Sequence, residues 1–354
     1  MIILGLESSC DETAAAIVEI GEDSSSLGDA RVRAGVVLSQ LEEHARHGGV
    51  VPELASRAHI RHFGPVIART LEQAGVAPGE LDAVAVTQGP GLIGGLLVGL
   101  AIAKGVALAA GIPLVGVHHM EGHLLSPFLA PAGAEPLDFP FVALLVSGGH
   151  TILLHVRGVG DYGFLGATRD DAVGEAFDKG ARLLGLGYPG GPAIEQVARE
   201  GDCRGVAFPR ILLDKDQFDF SFSGLKTALK HELARQAAGM APRRSVADVA
   251  ASYQEAIIDT LTFKALRACR HVGCRRLLVA GGVGANQGLR ERLRREGARE
   301  GLVLHFPPLA YCTDNAAMIA LAGWVALRRR LPGHSWMTLD ARPRWPIREL
   351  CRDP

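Results

Sequence analysis

The sequence predicts an α/β protein built as two lobes, and three observations carry that prediction. The chain has 354 residues, more than one hydrophobic core usually serves. Two stretches share a layout of apolar run, small polar turn and second apolar run: "IILGLESSCDETAAAIVEI" at 2–20 and "FVALLVSGGHTILLHV" at 141–156. Each heads one half of the chain, with helical segments after it. Many of the 44 glycines close short apolar runs, as tight strand-to-turn junctions require.

Both stretches read as β-hairpins with polar tips. Between them the Pro-rich "PAGAEPLDFP" at 131–140 marks a boundary. Residues 1–138 are therefore expected to form the first lobe and 139–354 the second, with the C-terminal helix and tail free to pack back on the first. A Ser-Gly-Gly tip exposes N–H groups that can cradle a phosphate. One such tip is usually only a turn. A duplicated pair in a two-lobed chain resembles the actin, sugar kinase and Hsp70 (ASKHA) superfamily, where nucleotide lies in a cleft between ribonuclease-H-like lobes. "RRLLVAGGVGANQGLRERLRR" at 275–295 adds a strand, a glycine turn and an amphipathic helix. There Asn286 is placed to hydrogen-bond a ligand near the helix start.

The formal net charge of −1 excludes a global basic field for nucleic acid. The densest basic run, "RERLRREGAR" at 290–299, reads as a solvated helix face. Six scattered cysteines without a CxxC argue against a disulfide framework or a cysteine-zinc module. No basic n-region precedes the first apolar run, so a signal peptide is not expected. The apolar stretch 92–117 contains six glycines, Lys104 and Pro113, and splits into a buried helix and a strand. A cytoplasmic protein with no membrane partner is expected.

Two nucleotide motifs fail. "GPGLIG" at 89–94 matches GxGxxG, but Pro90 interrupts the turn and no acidic residue follows before Glu121, too far for a ribose contact. No GxxxxGK[ST] occurs, so the chain is not a P-loop NTPase.

"TRDDAVGEAFDKGARLLGLGYPGGPAIE" at 168–195 predicts a helix with Asp170 as N-cap and Gly185 or Gly187 as stop. Phe177, Ala181 and Leu184 share its apolar face, and Glu175, Asp178 and Arg182 another. With Gly190 and Gly191 directly after it, the acidic face suits ribose hydroxyls, which need strong acceptors and close approach.

"HHMEGH" at 118–123 places His119 and His123 on one face if helical. Glu121 lies about 200° around the helix from His119, at about 100° per residue. It is therefore not the general base of an HExxH protease, whose Glu directly follows the first His. Many acids could complete a metal site, and Asp314 in "YCTDNAAMIA" at 311–320 is the best local choice. Two imidazoles and one carboxylate accept Fe²⁺ or Zn²⁺ and leave open positions.

Several long motifs in order, among them "ESSCDETAAAIV", "GGVVPELASRAH", "HHMEGHLLSP", "LLVSGGHT", "DDAVGEAFDKGARLLGLGYPGGP", "DFSFSGLKTAL", "GGVGAN", "CTDNAAMIA" and "RPRWP", resemble the TsaD family over essentially the whole chain. These are bacterial tRNA threonylcarbamoyltransferases with counterparts in the KEOPS complex. The resemblance implies transfer of the threonylcarbamoyl group from threonylcarbamoyl-AMP to N6 of the adenosine just 3′ of the anticodon, in tRNAs reading codons that begin with adenine. It implies one divalent metal, Fe²⁺ before Zn²⁺, on His119, His123 and Asp314. Leu145, Val146, Ser147, Gly148 and Gly149 match the substrate-binding loop, Asp178, Gly191 and Asn286 match adenylate contacts, and Asp11 matches an acidic residue implicated in activity. The implied partners are tRNA, a smaller paralogue of TsaB type and a P-loop ATPase of TsaE type. Segments 21–33 and 232–247 read as a lengthened hairpin region and a mobile connector. A metal-dependent glycoprotein endopeptidase and an ASKHA-type ATPase or sugar kinase are the alternatives.

Overall fold

The computed structural model describes residues 1–21, 27–130, 135–211, 217–329 and 336–352. The chain divides into two units, one of Met1–Leu137 with Pro307–Leu350 and one of Asp138–Phe306 with Cys351–Pro354. Parts of the hairpin region at 22–26 and of the Pro-rich boundary at 131–134 lie outside the described residues.

In the first unit the elements run β1 (Ile2–Glu7), β2 (Glu12–Glu19), β3 (Arg31–Ser39), α1 (Leu41–Ala45), α2 (Pro52–Ala74), β4 (Ala83–Gly89), α3 (Ile93–Ala110), β5 (Leu114–His118) and α4 (His119–Leu125). The second unit contains β6 (Phe141–Val146), β7 (Thr151–Gly158), β8 (Asp161–Ala167), α5 (Val173–Leu183), α6 (Gly190–Ala198), α7 (Ser223–Ala237), α8 (Val246–Val272), β9 (Arg276–Ala280), α9 (Gln287–Arg299) and β10 (Val303–His305). The last helix, α10 (Ala316–Arg328), returns to the first unit.

The two sheets have one topology. The first is ordered β3-β2-β1-β4-β5 and the second β10-β9-β6-β7-β8. In each, an antiparallel three-strand meander opens the unit and two strands add in parallel beyond its first strand. The two hairpins anticipated from the sequence are β1–β2 and β6–β7, the same place in each copy. This is the α/β arrangement of paired ribonuclease-H-like units expected of the ASKHA class.

Three sequence expectations are adjusted. The range 139–354 is shortened at its end, because Pro307–Leu350 joins the first unit, the return left open for the C-terminal helix and tail. The reason is the composition of α10, "AAMIALAGWVALR", buried from Ala316 to Val325. Such a helix needs an apolar sheet, and it packs on β1, β2, β4 and β5. A Cβ on Gly5 would stand 2.1 Å from the Ala316 carbonyl oxygen, and one on Gly323 2.3 Å from Ala85 Cβ. Second, 232–247 is not a connector throughout, since α7 continues to Ala237 and α8 begins at Val246 behind a Ser245 capping box. Third, Asp170 does not cap α5, whose N-cap is Ala172.

Helix α3 is long and apolar enough to cross a membrane by length and composition. Its glycines instead let it approach the β1–β2 tip. Ser8 Oγ donates to the Gly95 carbonyl at 2.9 Å, and a Cβ on Gly99 would lie 2.3 Å from that hydroxyl. Gly5→Ala is expected to destabilise the first unit by about 1–3 kcal/mol through overpacking against α10. Thermal unfolding of the variant checks this, and an unchanged midpoint would contradict the packing described.

Candidate active site

The first unit gathers one cluster where α4, the N-terminus of α10 and the β1–β2 tip meet. Helix α4 begins at His119, so His119 and His123 sit one turn apart on one face, their rings 4.8 Å apart and nearly perpendicular. Gly122 allows the close approach of α10, since a Cβ there would meet Met318 and Ile319 at 3.0 Å. Asp314 precedes Asn315, which caps α10 by accepting from Met318 N at 3.0 Å. The positive end of that helix favours a carboxylate at Asp314. Its Oδ1 lies 3.0 Å from His123 Nε2 and 3.5 Å from His119 Nε2. Ligand atoms of these three residues all fall within 4.8 Å of one another.

A partner the sequence reading missed completes the cluster. Glu7 is fully buried at the end of β1, with Oε2 3.0 Å from His119 Nδ1. It also accepts from Thr87 Oγ1 at 2.6 Å and from Ser9 N at 2.5 Å. A carboxylate behind a histidine fixes its tautomer and ring orientation, leaving Nε2 to face a metal. Its signal in the sequence was one acid closing the otherwise apolar "IILGLE".

Electrostatics follow from burying these charges together. Burial alone would strip the proton from His119, but the Asp314 and Glu7 carboxylates hold its pKa well above the usual value. Burial likewise opposes ionisation of Asp314, yet His119 and His123 pull its carboxyl well below the carboxylate range. Glu7 is lowered against burial by His119. On the same tip Glu12 is pushed up to about 10 by burial and by the charges of Asp314 and Asp11, so it is neutral at physiological pH. Asp11 is buried beside it and shares a hydrogen bond with it. The tip is held from below by His59 of α2, which bonds Thr13 Oγ1 at 2.8 Å and the Cys10 carbonyl at 3.1 Å.

His118 and Glu121, the remaining polar residues of "HHMEGH", are structural. His118 Nδ1 accepts from Met120 N at 3.1 Å, capping α4, and Nε2 donates to the Trp345 carbonyl at 3.0 Å. Glu121 pairs with Arg329 at 3.2 Å. The "RPRWP" tail also closes the turn after β4. Gly91 N donates to the Pro343 carbonyl at 3.2 Å, and a Cβ on Gly89 would strike the Arg342 carbonyl oxygen at 2.0 Å. The GxGxxG-like turn is thus filled by the protein's own chain.

In the second unit the β6–β7 tip is Ser147, Gly148, Gly149 and His150. Leu145 and Val146 lie in β6 with buried side chains, so within 145–149 only the tip has room for a ligand. Around Gly148 and Gly149 a Cβ would meet nothing within 4 Å. Helix α5 starts against the tip, Gly174 N donating to the Ser147 carbonyl at 3.2 Å. Asp178 Oδ1 accepts from Gly190 N at 2.7 Å, which ties α5 to α6 and leaves Gly191 facing open space. Asn286 is occupied as the N-cap of α9, accepting from Leu289 N and donating to Gln254 Oε1, both at 2.9 Å. The structure therefore brings the β6–β7 tip, α5 and the 282–285 turn together.

Asp170, displaced from its expected role, ties "DFSFSG" to α5. It accepts from Ser221 Oγ (2.5 Å), Ser223 Oγ (2.7 Å), Phe222 N (2.8 Å) and Ser223 N (3.2 Å). Burial opposes ionisation, but these donors hold its carboxyl below the usual 3.8. A lowered folded-state pKa gives stability that is complete above the unfolded value and lost as pH falls through the folded one. Asp170→Asn is expected to lower the thermal midpoint at neutral pH, and the gap to the wild type is expected to start narrowing as pH falls below the unfolded value of 3.8 and to go on narrowing through the lower folded one. A gap that stays constant, or widens, as pH falls from neutral into the acid range contradicts this.

A family model described as TsaD, tRNA N6-adenosine threonylcarbamoyltransferase, matches residues 31–321. The chain is 62% identical over 351 residues to the protein of that name from Magnetococcus marinus, covering 98% of each. It is 50% identical over 353 residues to the one from Thiobacillus denitrificans, covering 99% of each. Among solved structures, full-length HypF in its phosphate- and nucleotide-bound form superposes with a TM-score of 0.59 at 12% identity, over 95% of this chain and 47% of HypF. HypF from T. kodakarensis gives 0.61 at 13% identity, over 93% and 48%. These two show the shared fold. End-to-end identity to named relatives and a family model spanning most of the length place this chain in the TsaD family of tRNA N6-adenosine threonylcarbamoyltransferases.

Proposed function

We infer that the chain transfers the threonylcarbamoyl group from threonylcarbamoyl-AMP to N6 of the adenosine just 3′ of the anticodon, in tRNAs reading codons that begin with adenine. End-to-end identity to relatives named for this activity carries the reading. The convergence of His119, His123 and Asp314 supports it.

The chemistry sets what the residues must do. An adenine N6 amine is a poor nucleophile because its lone pair is delocalised, so the acyl donor must be activated. The N6 lone pair forms a bond to the carbamoyl carbon, the bond from that carbon to the phosphate oxygen breaks, and AMP leaves with the electron pair. One N6 proton is lost, and Asp11 is the group proposed to accept or relay it, or to orient the donor. In the second unit, the Ser147 N–H closes the turn onto the His150 carbonyl at 2.9 Å, so the N–H groups of Gly148 and Gly149 are the ones that suit a phosphate, and Asp178 with the open backbone at Gly191 suits the ribose. Asn286 acts by fixing the start of α9 beside them.

His119 Nε2, His123 Nε2 and an Asp314 oxygen fit a divalent metal, Fe²⁺ first and Zn²⁺ second: three converging donors and a carboxylate orienting one imidazole. Such an ion supplies Lewis-acid stabilisation of developing negative charge. The endopeptidase alternative loses its base, because Glu121 is engaged by Arg329. A TsaB-type paralogue would find an apolar surface on α3 and neighbouring α2, where Ile93, Leu97, Leu108 and Ile60 are exposed. A TsaE-type ATPase completes the cytoplasmic assembly.

Incubation with threonylcarbamoyl-AMP, an adenine-decoding tRNA and the partner proteins should add the threonylcarbamoyl mass to one adenosine. No mass gain would contradict the function. Asp11→Ala is expected to slow single-turnover transfer by about 10²–10⁴ if Asp11 handles the proton, and an unchanged rate removes that role. Glu7→Gln should weaken Zn²⁺ binding by about 10–100-fold in direct titration, a readout independent of activity. Leu97→Glu combined with Leu108→Glu should abolish co-elution with the paralogue at unchanged thermal midpoint; retained co-elution moves the interface elsewhere.

A further inference from the structure

We propose that the cavity between α5 and α7 is a phosphate-binding site for the tRNA backbone, with Lys226 and Lys230 as its cations. The proposal rests on the transferase reading and identifies a surface that would hold its RNA substrate.

The pattern along α7 points to it. Ser223, Lys226, Thr227, Lys230 and His231 recur at i, i+3, i+4, i+7 and i+8, the spacing by which a helix normally presents an apolar stripe to a core. Here the stripe is polar and lines a cavity of about 430 Å³, closed on the α5 side by Lys179, with Asp171 just before that helix. The opposite face is anchored by buried Leu225 and Leu229. The helix thus turns two lysines and a histidine into a concave surface.

The charge there is uncompensated. Lys179 is held between Asp171 and Glu175, at 2.7 Å from each. Lys226 and Lys230 have no ion-pair or hydrogen-bond partner among the described residues, and both are exposed. Residues 223–244 carry five cations (Lys226, Lys230, Arg235, Arg243, Arg244) against one acid, Glu232, in a chain of net charge −1. Asp170 already occupies the N-terminus of α7, so an anion is drawn along the helix to the lysines. Two ammonium groups one turn apart beside the Thr227 hydroxyl suit phosphate oxygens.

The other basic stretch is consumed internally. Arg292 pairs with Glu255 and Asp259, and Arg295 and Arg299 with Glu296. Arg290 and Arg294 lie over the Phe306 ring. The arginines of the 290–299 run are therefore engaged by carboxylates and an aromatic ring of their own unit, and α7 is the better footprint for a polyanion.

The test is equilibrium binding of an adenine-decoding tRNA to the full chain, alone and with its partner proteins, across a salt series. Lys226→Gln/Lys230→Gln is expected to weaken binding about five- to tenfold per lysine at about 0.1 M salt, and to flatten the slope of log K against log[salt] by about two. Lys226→Arg/Lys230→Arg should restore both, and AMP affinity should stay at the wild-type value in each variant. Unchanged tRNA affinity and slope in the Gln variant overturn the proposal while leaving the transferase reading intact. Loss of AMP binding, or of partner association with tRNA affinity retained, also overturns it by assigning the cavity to a mononucleotide or a protein. If the wild-type protein binds no tRNA in either state, the proposal and the transferase reading fail together. Matching thermal midpoints exclude misfolding as the cause.

Discussion

The first unit is organised around one constraint: the largely buried carboxylate of Asp314 must be paired, and its partners are His119 and His123. An unpaired charge in that position would cost several kcal/mol. Meeting the requirement fixes much else. Helix α10 has to return to the first unit from beyond the second, which its unbroken apolar face makes favourable. Glycines at 5, 122 and 323 remove the side chains that would hold it away. Glu7 then holds His119 from behind, and the tail at Trp345 holds His118.

The two units use one topology for opposite chemistry. Both present the turn between the first two strands of a meander. In the first unit that turn and its flanks carry Glu7, Asp11 and Glu12, and burial together with the neighbouring charges of Asp314 and Asp11 pushes the Glu12 carboxyl up to about 10. In the second it carries Gly148 and Gly149, which offer backbone donors and open space beyond the turn that Ser147 closes onto His150. Acids beside two imidazoles suit a cation and proton transfer, whereas bare N–H groups suit a phosphate.

Periodicity and glycine placement made the two hairpins, α5 and the strand–turn–helix at 275–295 legible from sequence, because each is a local pattern. What was hidden depends on contacts distant in the chain. Asp170 looked like the cap of the helix just ahead of it, yet it caps α7, whose Phe222 lies 52 residues away. Glu7 sat in an apolar strand, and nothing local showed that His119 would meet it across 112 residues. The reach of α7 past residue 231 was obscured by its few buried residues, Leu225 and Leu229 alone. The sequence also gives no sign that Asn286, placed there to contact a ligand, caps α9 by accepting from Leu289 N and donates one amide N–H to Gln254.

Anomalous diffraction from crystals of the protein reconstituted with Fe²⁺ or Zn²⁺, recorded at the metal edge, tests the central claim most directly. The account predicts one peak within coordination distance, about 2.0–2.2 Å, of His119 Nε2, His123 Nε2 and an Asp314 oxygen, with Glu7 still on His119 Nδ1. A peak elsewhere, or none at full metal loading, would contradict it.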